Sequence, residues 1–189
     1  MDRLLSCFVE SFAKLDDLME FPELNPVARA LATSERAPYG MIRWSPVRSV
    51  SEASLLDSIY AKLPARFPPL YERFVSTYRW AEVDLKTYTL LANPPGEDLS
   101  GLYDALSGDV NLWDELIPAG FVRFGKGPDC DYDPVCFDIS SRRKNRECRI
   151  VKIDHEEILC NYRVKVVAVL ANSFEELVRN TIALATKSG

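Results

Sequence analysis

The chain has 189 residues, 47% of them hydrophobic, 27% charged and 11% aromatic, with a formal net charge of −5 from 28 acids and 23 bases. This excludes a largely disordered chain and fits one hydrophobic core with a peripheral element. It also weighs against nucleic-acid binding driven by phosphate neutralisation, and no stretch approaches the about 18–20 uninterrupted apolar residues of a spanning helix.

Residues 3–21 place Leu4, Leu5, Phe8, Phe12, Leu15, Leu18 and Met19 at helical spacing, with Glu10, Lys14, Asp16 and Asp17 between them. This predicts an amphipathic helix ended by Pro22. Asp2 and Glu10 do not fit a secretory signal, so a cytoplasmic location is expected. A short helix over 26–33 starts on Pro26, and Pro38, Gly40 and Pro46 punctuate a looser stretch. Residues 1–50 therefore read as a helical N-terminal arm on a domain of residues 51–189.

Ser51-Glu52-Ala53-Ser54 supplies cap-type residues for a helix carrying Leu55, Leu56, Ile59, Tyr60 and Leu63, which Pro64 stops. A second helix restarts at Pro68-Pro69 with Leu70, Tyr71, Phe74, Val75 and Tyr78 on its apolar face. Residues 81–93 suit a strand before the turn Asn93-Pro94-Pro95-Gly96, and helical spacing returns over 99–106 and 112–116. Strands follow at 121–125, 135–139, 149–153 and 164–170, joined by loops with Gly127-Pro128, Asp133-Pro134 and a charged stretch over 140–147. A last helix begins after Ser173, which forms a capping box with Glu176. The class is α+β, a mainly antiparallel sheet flanked by helices.

Five cysteines, none at two-residue spacing, argue against a disulfide framework and read as free, mostly buried thiols. Asp129, Asp131 and Asp133 alternate as in the start of a calcium loop, but Pro134 stands where its glycine belongs and Ser140 where its bidentate glutamate belongs. The stretch reads as a solvated acidic hairpin loop, and with Tyr132 it is a candidate contact surface for a basic partner. His155-Glu156-Glu157 lacks the second histidine of a zinc-protease helix, since Leu159 stands there. Gly125-Lys126-Gly127 is no phosphate loop, and the basic run over 142–146 has no interleaved aromatics for base stacking. A hydrolase using Asp131, Asp133, Asp138 and His155 would need more metal ligands than the region offers. No cofactor and no metal are expected. Tyr78, Arg79 and Trp80, the end of an aromatic and arginine-rich stretch, are further candidate contacts, because Tyr, Trp and Arg dominate binding hot spots.

Residues 63–80, Leu112-Trp113, 121–125, Tyr132-Asp133-Pro134-Val135-Cys136-Phe137-Asp138, 153–156 and Ala171-Asn172-Ser173-Phe174-Glu175-Glu176-Leu177 follow one another in an order that resembles the SUKH superfamily, the Smi/Knr cell-wall-regulator-like family. The resemblance covers about residues 51–184 and leaves out the first fifty. It implies an α+β scaffold without catalytic residues, often a bacterial immunity protein that binds and neutralises a toxin. The expected function is therefore non-enzymatic: a protein partner such as a basic nuclease toxin, with a regulator or scaffold serving a housekeeping partner as the alternative.

Overall fold

The structure, a computed structural model, describes residues 2–16, 19–22, 26–51 and 53–187. The first helix, α1 (Asp2–Leu15), is shorter than its spacing predicts. Asp16 ends it: one carboxylate oxygen accepts from the Met19 amide at 3.1 Å and the other from the Asp84 amide at 3.3 Å. Met19 then turns to a positive φ of 33°, and the chain continues as β1 (Glu20–Pro22). Asp17 and Leu18 of the predicted helix, and Glu52 of the next predicted cap, lie outside the described residues.

The first fifty residues are less helical than expected. After α2 (Pro26–Leu31), β2 (Ala32–Ala37) and β3 (Met41–Trp44) join β1 in a three-stranded antiparallel sheet ordered β1-β3-β2, with Phe21 stacked on Trp44. A two-residue strand, β4 (Val47–Arg48), leads into a 3-10 turn (Ala53–Leu56) and α3 (Asp57–Tyr60). Pro68 and Pro69 then start α4 (Pro69–Thr77), as their fixed φ favours at a first turn. Its exit strand, β5 (Tyr78–Arg79), pairs with β4.

The predicted strand over 81–93 is a tight hairpin, β6 (Val83–Asp84) and β7 (Thr89–Leu90). It reverses at Lys86, whose positive φ of 67° is held by its amide donating to Asp84 Oδ1 at 2.6 Å. Beyond α5 (Ser100–Ser107) and α6 (Val110–Leu116) come β8 (Phe121–Lys126), β9 (Pro134–Asp138) and β10 (Arg149–Ile153). A helix the sequence reading did not place, α7 (His155–Asn161), precedes β11 (Val166–Ala171), and α8 (Phe174–Lys187) follows. The large sheet is an antiparallel meander ordered β11-β10-β9-β8-β7-β6, so the α+β class holds, with this helix-flanked sheet at its centre.

Alternation along the strands gives the sheet two buried faces. Val122, Val135, Phe137 and Ile150 face the main core, where α1, α4 and α8 bring Phe8, Phe12, Tyr71, Phe74 and Phe174 into edge-on ring contacts. Cys136, Val151 and Ile153 face the other way, under Leu112 and Leu116 of α6 and Ile158 of α7. Helix α1 is thus part of the common core. The expectation of mostly buried thiols is corrected: Cys136 and Cys148 are buried, Cys7 is half-buried, and Cys130 and Cys160 are exposed. Burial pushes the Cys148 thiol up to about 12.

Candidate functional site

The acidic loop between β8 and β9 folds around its own backbone. The Gly127 amide donates to the Asp133 carbonyl at 2.9 Å, the Asp131 amide to the Pro128 carbonyl at 3.0 Å, and the Asp133 amide to Asp131 Oδ1 at 2.9 Å. Gly127 is needed here, because an added Cβ would meet the Asp131 carboxyl carbon at 2.1 Å. Asp129 adopts a φ of 54°, and its amide is held by Asp84 Oδ2 at 3.1 Å.

The three carboxylates do not converge on a cation position. Lys152 of β10 takes two of them, at 2.9 Å from Asp131 and 3.5 Å from Asp133. The second Asp133 oxygen binds the backbone amide of His155 at 3.0 Å and its ring Nδ1 at 2.8 Å. Burial pushes the Asp131 carboxyl up, but the Asp133 amide and the Lys152 ammonium outweigh it and hold the group below its usual range. The Asp131 partner in turn raises the Lys152 ammonium above its ordinary value. The loop is therefore less of a free acidic surface than its composition suggests, because two of its three charges are committed to Lys152 and His155. Tyr132 stays 62% exposed, its ring edge-on to His155.

Asp138 is not brought to this cluster. It lies at the far end of β9, about 16 Å along the strand at about 3.3 Å per residue, and is buried with Arg149 at 2.7 Å and the Ser140 hydroxyl at 2.6 Å. Nor do Tyr78, Arg79 and Trp80 form an exposed face. Tyr78 is half-buried, while Arg79 and Trp80 are buried and out of a partner's reach. Arg79 Nη1 donates to the Val75 and Tyr78 carbonyls at 2.7 and 2.9 Å, its Nη2 reaches the Ser51 hydroxyl, and burial lowers its pKa. Trp80 stacks on Phe74 at 4.1 Å and donates from its indole to the Leu91 carbonyl. These two residues fasten the end of α4 to the sheet.

The exposed apolar surface lies instead where α7 leads into β11. Asp154 caps α7, accepting from the Glu157 amide at 3.1 Å, and Tyr162 closes it in a left-handed conformation with φ 52°. Ile158 points into the core side, while Leu159 and Tyr162 stay out, Tyr162 at 76% exposure. A cavity of about 330 Å³ runs between these side chains and Asn111, Asp114 and Glu115 of α6. Asp114 is exposed, and neither it nor Glu115 forms an ion pair among the described residues. Val166, Val167 and Val169 of the edge strand β11 are exposed as well, and Val169 lines a groove between β11 and α8. Two register shifts interrupt the pairing of β11 with β10.

Sequence reasoning missed these residues. A valine-rich strand reads as buried, and its place at the sheet edge is a property of the topology. The acidic loop and this apolar surface share one element: His155, tied to Asp133, opens α7, and Tyr162 ends it about 10 Å away at about 1.5 Å per residue. No family model matches this chain, and no curated protein is recognisably similar to it in sequence.

Proposed function

We propose that the protein acts by binding another protein through the surface made by loop 128–133, α7 and β11, as an immunity-type inhibitor of the SUKH kind that occludes a basic toxin. The carrying observation is the run of exposed apolar side chains between positions 159 and 169, Leu159, Tyr162, Val166, Val167 and Val169, on two consecutive elements. Isolated exposed hydrophobics are ordinary, but neighbouring ones rimmed by charge mark interaction sites. Asp114, Glu115 and Glu156 supply an acidic rim, and the net charge of −5 favours association with a basic partner.

The test is affinity capture with the tagged protein from its host at low and moderate salt, run in parallel with Leu159→Asp and Val167→Asp variants. One stoichiometric protein whose toxic activity is blocked, and which both variants lose, supports the proposal. Recovery of housekeeping proteins alone replaces the immunity reading with the regulator reading. Capture that both variants leave unchanged removes this surface.

A further inference from the structure

A second site lies away from that surface. The first turn of α1, strand β4 and the α4–β5 junction enclose a pocket of about 370 Å³, lined by Arg3 and Ser6, by Arg48, and by Thr77 and Tyr78. Arg48 stands opposite Tyr78 in the β4–β5 pairing, which fixes the guanidinium-bearing strand against the end of α4.

Thr77 carries the clearest signal. It is 4% exposed, and its hydroxyl has no hydrogen-bond partner among the described residues. Several other helical hydroxyls are satisfied by the carbonyl four residues back: Ser76 bonds Glu72, Thr181 bonds Leu177 and Thr186 bonds Ile182, each within 2.9 Å. Thr77 makes no such bond and lines the pocket. A buried polar group without a partner is costly and rare enough to require a reason.

The charge around it is weighted towards arginine. Arg3 and Arg48 are exposed and form no ion pair among the described residues. The buried Arg79 guanidinium, bonded to the Tyr78 carbonyl, has carbonyls and a serine hydroxyl as partners and no carboxylate among the described residues. The one acid lining the pocket among the described residues, Asp2, is engaged by Arg73 at 3.4 Å. Two lining arginines against one carboxylate already engaged by Arg73, beside the N-terminal turn of a 14-residue helix, leave the pocket net positive in an acidic protein.

We infer that this pocket, lined by the buried and unpartnered Thr77, by Arg3 and Arg48 and by the first turn of α1, is a binding site for a phosphate group. Arg48 and Arg3 supply charge-assisted donors and Thr77 a neutral one. The volume exceeds what a bare phosphate fills, which fits the phosphate of a small phosphorylated molecule.

The intact chain is titrated at low ionic strength with inorganic phosphate, pyrophosphate and glycerol 3-phosphate, followed by calorimetry and by amide chemical shifts, with citrate as the carboxylate control. The expected result is saturable one-to-one binding that shifts amides of the α1 first turn and of Ser76 to Arg79. Tighter binding of glycerol 3-phosphate than of inorganic phosphate identifies a phosphorylated small molecule as the ligand, and equal or weaker binding identifies the free anion. Arg48→Gln and Arg3→Gln should each weaken binding about tenfold, the loss of one charge-assisted contact. Thr77→Val should weaken it severalfold while leaving the melting temperature unchanged or higher. Arg143→Gln, in the basic loop elsewhere, should have no effect. Absence of saturable binding, equal affinity for citrate, or equal weakening by Arg143→Gln overturns the inference.

Discussion

Asp133 grips a single residue twice: its Oδ1 lies 3.0 Å from the backbone nitrogen of His155 and 2.8 Å from that residue's ring Nδ1. The geometry places the proton on Nδ1 as donor, leaves Nε2 as the free ring position, and pins the acidic loop to the first turn of α7. Asp133→Ala removes both contacts. It should cost about 1–3 kcal/mol, typical of bonds to a charged group, and should accelerate amide exchange over residues 154–158, measured by hydrogen exchange mass spectrometry.

Gly127→Ala tests the same loop from its backbone. The new Cβ would fall 2.5 Å or less from the Cβ and carboxyl of Asp131, forcing that side chain off Lys152. Overpacking of this kind costs about 1–3 kcal/mol. Urea unfolding should show the loss, and the Lys152 ammonium resonance should move with it.

Stability should fall in acid, with a sign fixed by the paired carboxylates. Burial raises the Asp138 carboxyl, but the Ser140 hydroxyl and Arg149 outweigh it and hold the group below its usual range, as the Asp133 amide and Lys152 do for Asp131. A lowered folded-state value means that each group contributes stability above its unfolded value of about 4 and loses it as pH falls through the folded value. Asp138→Asn should therefore flatten the stability–pH curve below about pH 4. At neutral pH it should cost about 1 kcal/mol, because Arg149 is half exposed and solvent screens the pair. Urea midpoints at pH 3 and pH 7 measure both effects.

Phe8→Ala should be severely destabilising, by about 3–5 kcal/mol. Phe8 is fully buried, with its ring 5.1 Å from Phe12, 5.3 Å from Phe74 and 6.3 Å from Phe174. A loss under about 1 kcal/mol, the size of a surface effect, would show that α1 is peripheral to the core.

The strands β8 to β11 and helices α4, α5 and α8 were legible because each carries its own periodicity, and α4 and α8 a start signal besides. Ser173 is an example: its hydroxyl accepts from the Glu176 amide at 3.0 Å, although the Glu176 carboxylate reaches the Asn172 amide instead of the Ser173 amide. The β6–β7 hairpin was not legible, since its reversal depends on a lysine at positive φ, where no glycine or asparagine announces a turn. Helix α7 left a signal that went unused, Asp154 followed three residues later by Glu157. The candidate binding surface was half legible: loop composition pointed to Asp129, Asp131, Tyr132 and Asp133, but the lysine and histidine that engage two of those acids come from β10 and α7. The positive pocket was beyond reach, because Arg3, Arg48 and Thr77 lie in separate segments that only the packing of α1 brings together.

That packing also bears on how the molecule is made. Phe8 of the first helix touches Phe174 of the last. During synthesis α1 leaves the ribosome with an aromatic face whose final neighbour has not yet been translated. At about 5–20 residues per second, the more than 160 residues between them keep that face waiting on the order of ten seconds. Until then Phe74 of α4 is the aromatic partner already made, and loss of either terminal helix leaves the same cluster of rings open to water.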